Sequence, residues 1–311
     1  MFTSVVGSFP VEIKSPDNIK DKILNFLSIY DPYKKAIEDI VNLQLDAGID
    51  IISDGQLRGD MILSFSKYIP GFKTDMNSSV IVSKIQKPYG EITTKDIKYA
   101  KSILEKHPKN SKEKSVKAVL TGPSTIVHSS RIESFYKNKE KAILDLAKSL
   151  KFEVEALDEL NVKYIQIDEP FLSTGMVDLK TASKAISILR KNIKTPIAIH
   201  VCGNLTDVFK ELVNFDVDII DCEFAGNDYN LDLLEKYSSN LKNKKIGFGC
   251  LDTTLNDVDD YQSVKNMVSK AVDLIGSDNL ILDPDCGLRK VDLEIAYKKL
   301  EIISKIKEEY D

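Results

Sequence analysis

A histidine and a cysteine two positions apart, His200 and Cys202, close a run of apolar residues, Ile197–His200. In extended chain such residues face the same way, so an imidazole and a thiol can meet one ion. Cys286 and Glu223 stand just past two other apolar runs. Together they offer N, S, S and O donors, a set that suits zinc, which accepts mixed coordination. Cys222 is one residue from Glu223, so parity turns it to the opposite face. Cys250, two past Phe248, is a spare candidate, and His128 could line the same mouth. His107, in a charged loop before Pro108, reads as solvated.

Carboxylates gather in the same places. Asp168-Glu169-Pro170 closes the run Tyr164–Ile167, where a carboxylate is desolvated unless a cation meets it. A substrate ammonium would satisfy Asp168; a salt bridge or a cap for the next helix is the competing reading. Gly7-Ser8 ends the first apolar run. Glycine lets a ligand approach the backbone, and the Ser8 amide and hydroxyl could hold a carboxylate. A simple turn before Pro10 is the alternative.

The elements that must position these groups alternate. Eight β-branched runs occur: Thr3–Val6, Ile49–Ser53, Val116–Leu120, Tyr164–Ile167, Ile197–His200, Val217–Asp221, Lys245–Phe248 and Leu280–Leu282. Continuous apolar runs are expected for parallel strands buried on both faces. Between them, helical spacing of apolar residues predicts helices over Tyr33–Ala47, Lys139–Leu160, Leu179–Lys191, Leu205–Val213, Leu231–Ser239, Asp259–Ile275 and Asp292–Glu309. The pattern predicts an α/β fold, a (β/α)8 TIM barrel forming one unit over 1–311, with an open doubly wound sheet as the runner-up. Polar, glycine and cysteine residues after all eight runs favour the barrel, whose loops converge there. One connection is too long for a βα loop. Residues 57–115 are expected to make an excursion over the barrel mouth, with a strand near Ser79–Ile85, a helix near Thr94–Lys106 and a solvated lysine-rich loop, Lys106–Lys117.

Composition narrows the classes. Of 311 residues, 42% are hydrophobic and 29% charged, which excludes a disordered or fibrous chain. No run of 18 apolar residues suggests a membrane span. A net charge of −5 disfavours nucleic acid as a partner. Four cysteines are too few for a disulfide scaffold, and no secretion signal is visible, so the reducing cytoplasm is the expected compartment.

Taken together, GSFP at Gly7, DGQLRGDM at Asp54, LTGPSTI at Leu120, IQIDEP at Ile165, His200-x-Cys202, Glu223 and DPDCGL at Asp283 resemble the cobalamin-independent methionine synthases. The resemblance is to their C-terminal catalytic barrel, in the short archaeal form. It implies a methyltransferase with one zinc ion per chain on His200, Cys202, Glu223 and Cys286. It also implies a homocysteine pocket in the catalytic site, Gly7 and Ser8 meeting the carboxylate and Asp168 the ammonium. Gln56 stands where the family often has Glu, which makes that contact neutral. The long enzymes carry a histidine after strand seven that serves folate chemistry; here the stretch reads Gly249-Cys250-Leu251-Asp252-Thr253-Thr254. A methyl-corrinoid donor, methylcobalamin or a corrinoid protein, is therefore expected rather than methyltetrahydrofolate. Two further readings compete: a related zinc barrel methylating another thiol such as coenzyme M, and a non-catalytic zinc- or corrinoid-binding partner.

Overall fold

In chain order the elements are β1 (Phe2–Thr3), α1 (Ile19–Phe26), α2 (Tyr33–Asp46), β2 (Ile51–Ile52), α3 (Leu63–Ser66), β3 (Phe72–Thr74), β4 (Ser79–Ile81), α4 (Thr94–Leu104), β5 (Ser115–Val116) and β6 (Ala118–Thr121). Then follow α5 (Pro123–His128), β7 (Arg131–Ile132), α6 (Lys139–Asp158), β8 (Ile165–Asp168), α7 (Leu179–Arg190), β9 (Ile197–Val201), α8 (Phe209–Leu212), β10 (Ile219–Glu223), α9 (Asp228–Tyr237), β11 (Lys245–Leu251), α10 (Tyr261–Ile275), β12 (Leu280–Pro284) and α11 (Leu293–Glu308). This computed structural model describes residues 1–310 apart from 14, 17, 28 and 29; those four and residue 311 of the expected 1–311 unit lie outside the described residues.

The chain folds as α/β with a curled, parallel sheet of seven strands, in the order β1-β12-β11-β10-β9-β8-β6. β2 pairs in parallel with β5, a parallel bridge joins Ser4 to Ile51, and only Lys117 separates β5 from β6. Helix starts follow local chemistry. The side chains of Asn138, Asp178 and Asp260 accept from the amides of Lys141, Thr181 and Ser263, satisfying donors that the first helical turn leaves free.

Period-two alternation layers the inner face of the sheet. At the strand beginnings, Ile51, Tyr164, Ala198, Ile219 and Ile281 form an apolar cluster of their own. Two residues on, Gln166, His200, Asp221 and Asp283 are buried and polar. Two further on come Asp168, Cys202, Glu223 and Asp285. The opposite faces, with Ile165, Ile167, Ile199, Ile220 and Leu282, pack into the large core beneath the helices.

Three expectations change. The helix expected over Leu205–Val213 shrinks to Phe209–Leu212, because Asn204 Oδ1 takes the Thr206 amide at 2.9 Å and Asn230 Oδ1 takes that of Leu205 at 3.0 Å. The strand expected over Ser79–Ile85 stops at Ile81, since Val82 N–H turns to the carbonyl of Gly71 at 2.9 Å. The lysine-rich stretch is not solvated throughout: Lys117, at its end, is fully buried. Within 57–115, β3 and β4 pair antiparallel, and β4 continues in parallel to β7, making a three-stranded sheet beside the main one. α1 and α5 were not anticipated; α5 is a single short turn-and-a-half opened by Pro123 at its start.

Candidate metal and substrate site

Strand register builds the site before any side chain is considered. Asp168 on β8 pairs with His200 on β9, and His200 pairs with Asp221 on β10. The three side chains therefore stand in one row. His200 Nδ1 lies 3.1 Å from Asp221 Oδ1 as a charge neighbour, and neither ring nitrogen has a hydrogen-bond partner among the described residues. An imidazole with a carboxylate beside one nitrogen can present the other as a ligand. Burial opposes the imidazolium charge, yet the Asp221 carboxylate outweighs it and raises the His200 pKa well above its ordinary value.

Cys202 and Cys286 complete the group. One ligand atom from each of His200, Cys202 and Cys286 lies within 4.8 Å of the others. Among the described residues this is the His/Cys/Asp/Glu group with metal-ligating proximity. The Cys202 thiol beside Cys286, with the His200 imidazole, favours a thiolate at Cys286, while the Cys202 thiol is pushed up. An unpartnered imidazole nitrogen and two adjacent sulfurs, one favoured as thiolate, form a donor set that fits zinc. Glu223 stands apart from this group: its Oε2 accepts the Gly203 amide at 2.8 Å.

Cys222 and Cys250 are fully buried in the helix-facing core, as parity required of Cys222; Cys250 is no spare ligand there. All four cysteines are free. His128 is half-buried, its Nδ1 2.9 Å from the Ser124 carbonyl, and does not line the cavity described next. His107 lies elsewhere, 3.7 Å from Asp46.

A cavity of about 380 Å³ opens above the three ligands, and Ser8, Gln56 and Asp168 line it together with His200, Cys202 and Cys286. Gly7 is buried, and a Cβ there would sit 2.6 Å from Gln56 Oε1, so the glycine makes room for that amide. Gly287 does the same for Ser8, whose Oγ would lie 1.9 Å from a Cβ; the Leu288 amide also binds the Ser8 carbonyl at 2.7 Å. Asp168 receives one N–H, from Gln166 Nε2 at 2.7 Å, and burial pushes its pKa up to about 6. Asp54, also on the cavity wall, is pushed up to about 6 by burial and then by the Asp96 charge.

Segment 57–115 contributes Met61, Phe65, Tyr68 and Arg58 to the wall. Arg58 is pinned by ion pairs to Asp31 at 2.6 Å and to Asp96. Arg289, from beyond β12, donates to the carbonyls of Gln56 at 2.6 Å and Gly59 at 2.7 Å, tying that segment to the main sheet.

Glu169 serves as scaffold rather than site. Its carboxylate accepts the amides of Ser124 at 2.9 Å and Thr125 at 2.8 Å and the Thr125 hydroxyl at 2.8 Å. It therefore caps the start of α5, the preceding helix rather than the following one. Asp285 likewise accepts the amides of Phe224, Ala225 and Gly226, at 3.0, 3.0 and 2.6 Å, and shapes the loop beyond Glu223. Sequence reasoning passed over Asp221 and Asp283, whose signal was period-two spacing from Ile219 and Ile281 applied to the strand interior, and Lys117, whose burial no spacing from those residues marks.

Comparison with known proteins finds relatives along the whole chain. Residues 1–309 match the family described as "Cobalamin-independent synthase, Catalytic domain". The methionine synthase of Methanothermobacter thermautotrophicus is 43% identical over 302 residues, covering 96% of this chain and 97% of that one. The methionine synthase of Methanocaldococcus jannaschii is 42% identical over 314 residues, covering 97% and 96%. Among solved structures, a B12-independent methionine synthase from Shewanella sp. W3-18-1, in complex with selenomethionine, superposes with a TM-score of 0.83 at 20% identity, covering 99% of this chain and 98% of that one. A methyltransferase from Methanosarcina mazei shares the fold with a TM-score of 0.64 at 11% identity.

Proposed function

Because the chain belongs to the family of cobalamin-independent synthase catalytic domains, we propose that this methyltransferase-type enzyme moves a methyl group to the thiol of L-homocysteine, giving L-methionine. One observation carries the reading: His200, Cys202 and Cys286 converge at the floor of a cavity whose walls hold Asp168, Ser8 and Gln56. The same cavity supports the finer fold reading. The Ser4–Ile51 bridge and the β2–β5 pair favour a closed (β/α)8 barrel, with 57–115 as an excursion over its mouth.

One zinc ion per chain is the metal we assign to His200, Cys202 and Cys286, with Glu223 as the fourth ligand once it releases the Gly203 amide. Zinc bound there would supply the positive charge that lowers the pKa of an incoming thiol, ordinarily about 8.5. The chain's own groups do the rest. Asp168, ionised, receives the substrate ammonium; Gly7 and Ser8 receive its carboxylate; Gln56 adds a neutral polar contact. Asp221 holds the His200 ring in place. The walls from 57–115 narrow access of water to the thiol.

The Asp168 carboxylate favours an amino acid over a sulfonate thiol such as coenzyme M, which has no ammonium to pair with it. A closed, non-catalytic metal site would not need a cavity on the ligands.

For the donor, a methyl-corrinoid is favoured. A pterin leaving nitrogen needs a proton from a positioned acid, typically worth about 10²–10⁴ in rate, whereas cobalt leaves without one. The loop after β11 offers no such group to the cavity. Cys250 is in the core, and Asp252 Oδ1 accepts the amide and hydroxyl of Thr254. The free cysteines accord with a reducing cytoplasm, and among the described residues no helix is long and apolar enough to cross a membrane.

The test is a donor screen with homocysteine, using methylcobalamin, a methylated corrinoid protein or methyltetrahydrofolate, with methionine measured. Transfer from a corrinoid donor and little from the folate is expected. Robust corrinoid-independent folate turnover would overturn the donor assignment, and Asp54 would then be the acid to replace. Failure of every donor to methylate homocysteine would overturn the substrate.

A further inference from the structure

Lys117 is a fully buried lysine on the inner face of the sheet, between β5 and β6. It does not line the cavity. Its Nζ donates to Gln166 Oε1 and lies 5.2 Å from the centroid of the Tyr164 ring. The Tyr164 hydroxyl is itself fixed, 3.0 Å from Ser4 Oγ. Burying an ammonium is costly, so a lysine in such a place needs partners.

Its direct partner, Gln166, is fully buried too, and its Nε2 donates to the Val6 carbonyl at 2.8 Å and to Asp168 Oδ1 at 2.7 Å. An amide can turn over, exchanging its oxygen for its nitrogen. Here both ends are determined. An ammonium has donors and no acceptor, so only Oε1 can face Lys117; a carbonyl has no donor, so only Nε2 can face Val6. The consequence falls on Asp168, which is always met by an N–H and never by an oxygen.

We propose that Lys117 is a positioning residue for substrate recognition: by fixing the Gln166 amide, it holds the Asp168 carboxylate at the angle at which that group receives the ammonium of homocysteine. The inference rests on the reading of Asp168 as the ammonium anchor. Burial lowers the Lys117 pKa against the pull of the Asp221, Asp283 and Asp168 charges, and the Lys117 charge in turn favours the Asp168 carboxylate against the burial that raises it. With one oxygen bound to Gln166, the carboxylate keeps its remaining lone pairs for the ligand. Lys117 touches neither substrate nor metal ligand; it acts through Gln166.

The test compares homocysteine with 4-mercaptobutanoate, the same thiol acid without the amino group, by calorimetry on the metal-loaded protein. Gln166→Glu retains the acceptor for Lys117 but turns an acceptor towards Asp168. Lys117→Met removes the ammonium. The double variant K117M/Q166M replaces the pair with apolar side chains of similar length, a change that buried polar pairs often tolerate in stability. Each should weaken homocysteine by about ten-fold or more while changing 4-mercaptobutanoate by less than about two-fold, with bound metal unchanged. Equal loss for both thiols, or no loss for either, would overturn the proposal. Asp168→Asn separates the two levels. If it shows the amino-dependent loss and the Lys117 and Gln166 variants do not, the positioning role fails and the anchor stands. If Asp168→Asn lacks that loss, the anchor itself fails.

Discussion

Two sets of buried carboxylates sit within a few residues of each other at the strand ends, and they differ in how they are hydrogen-bonded. Glu169 takes three protein donors and Asp285 another three. Asp168 takes one, and neither oxygen of Asp283 has a partner among the described residues. The first set organises backbone: a helix start and a loop. The second faces the inner row with His200, Asp221 and Lys117. Acceptors that already take three donors have little capacity left for a ligand, while under-used ones are costly unless something cationic arrives. The contrast separates scaffold from site where residue type and position along the strand do not.

The thiols pose the same contrast in its sharpest form. Cys202→Ala or Cys286→Ala should abolish both metal retention and methyl transfer, read as metal per chain and methionine formed. Retained metal in either would break the assignment of the inner row. Next in size, Asp168→Asn should weaken homocysteine by about 10- to 150-fold, equivalent to about 1.5–3 kcal/mol, with metal content unchanged. Thermal stability should hold, because the asparagine oxygen can still accept from Gln166.

A pH series refines that expectation. Asp168 has a pKa pushed up to about 6 by burial, so the folded protein binds its proton more tightly than the unfolded chain, in which the carboxyl has its ordinary value of 3.8. Its contribution to stability is thus greatest at low pH and is lost as pH rises from about 4 through about 6. Binding runs the other way: homocysteine affinity should fall as pH drops below about 6, and Asp168→Asn should flatten that part of the profile. An unchanged profile in the variant would assign the titration to another group.

The saturated set should respond in stability and not in binding. Glu169→Gln leaves at least one donor at the start of α5 facing an amide N–H, at a cost of about 1–3 kcal/mol, seen as a lower melting temperature with unaltered homocysteine affinity. A large loss of affinity with no loss of stability would erase the distinction between the two sets. The smallest effect is expected at Cys222, whose thiol packs in the outer core; Cys222→Ala should retain metal and activity, with stability lower by about 1 kcal/mol. Metal loss there would mean that β10 faces the other way.

Much of this was legible because β-strand parity is strict. The alternation that puts Cys222 outward put Asp221 and Glu223 inward, and continuous apolar runs located the parallel strands. His200, Cys202 and Cys286 converge because β9 and β12 end at the same side of the sheet, which the alternation of strands and helices already required. What escaped the sequence was lateral. No spacing along the chain shows that Glu223 takes the Gly203 amide, or that Glu169 reaches back to α5 across the β6–β8 register. Lys117 looked like the end of a charged, solvated loop because lysines crowd the stretch before it; its place between β5 and β6 sets its side chain inward against Gln166. Helix α8 was overestimated because the side chains of Asn204 and Asn230 claim backbone amides that a helix would otherwise need.

The central claim is that the inner-row ligands and the cavity above them meet in one substrate. X-ray absorption at the zinc edge of the zinc-loaded protein, before and after adding homocysteine, tests it most directly. A gain of one sulfur in the zinc coordination shell on adding homocysteine is the predicted result. A coordination shell unchanged by saturating homocysteine would contradict the account and leave His200, Cys202 and Cys286 as a structural site.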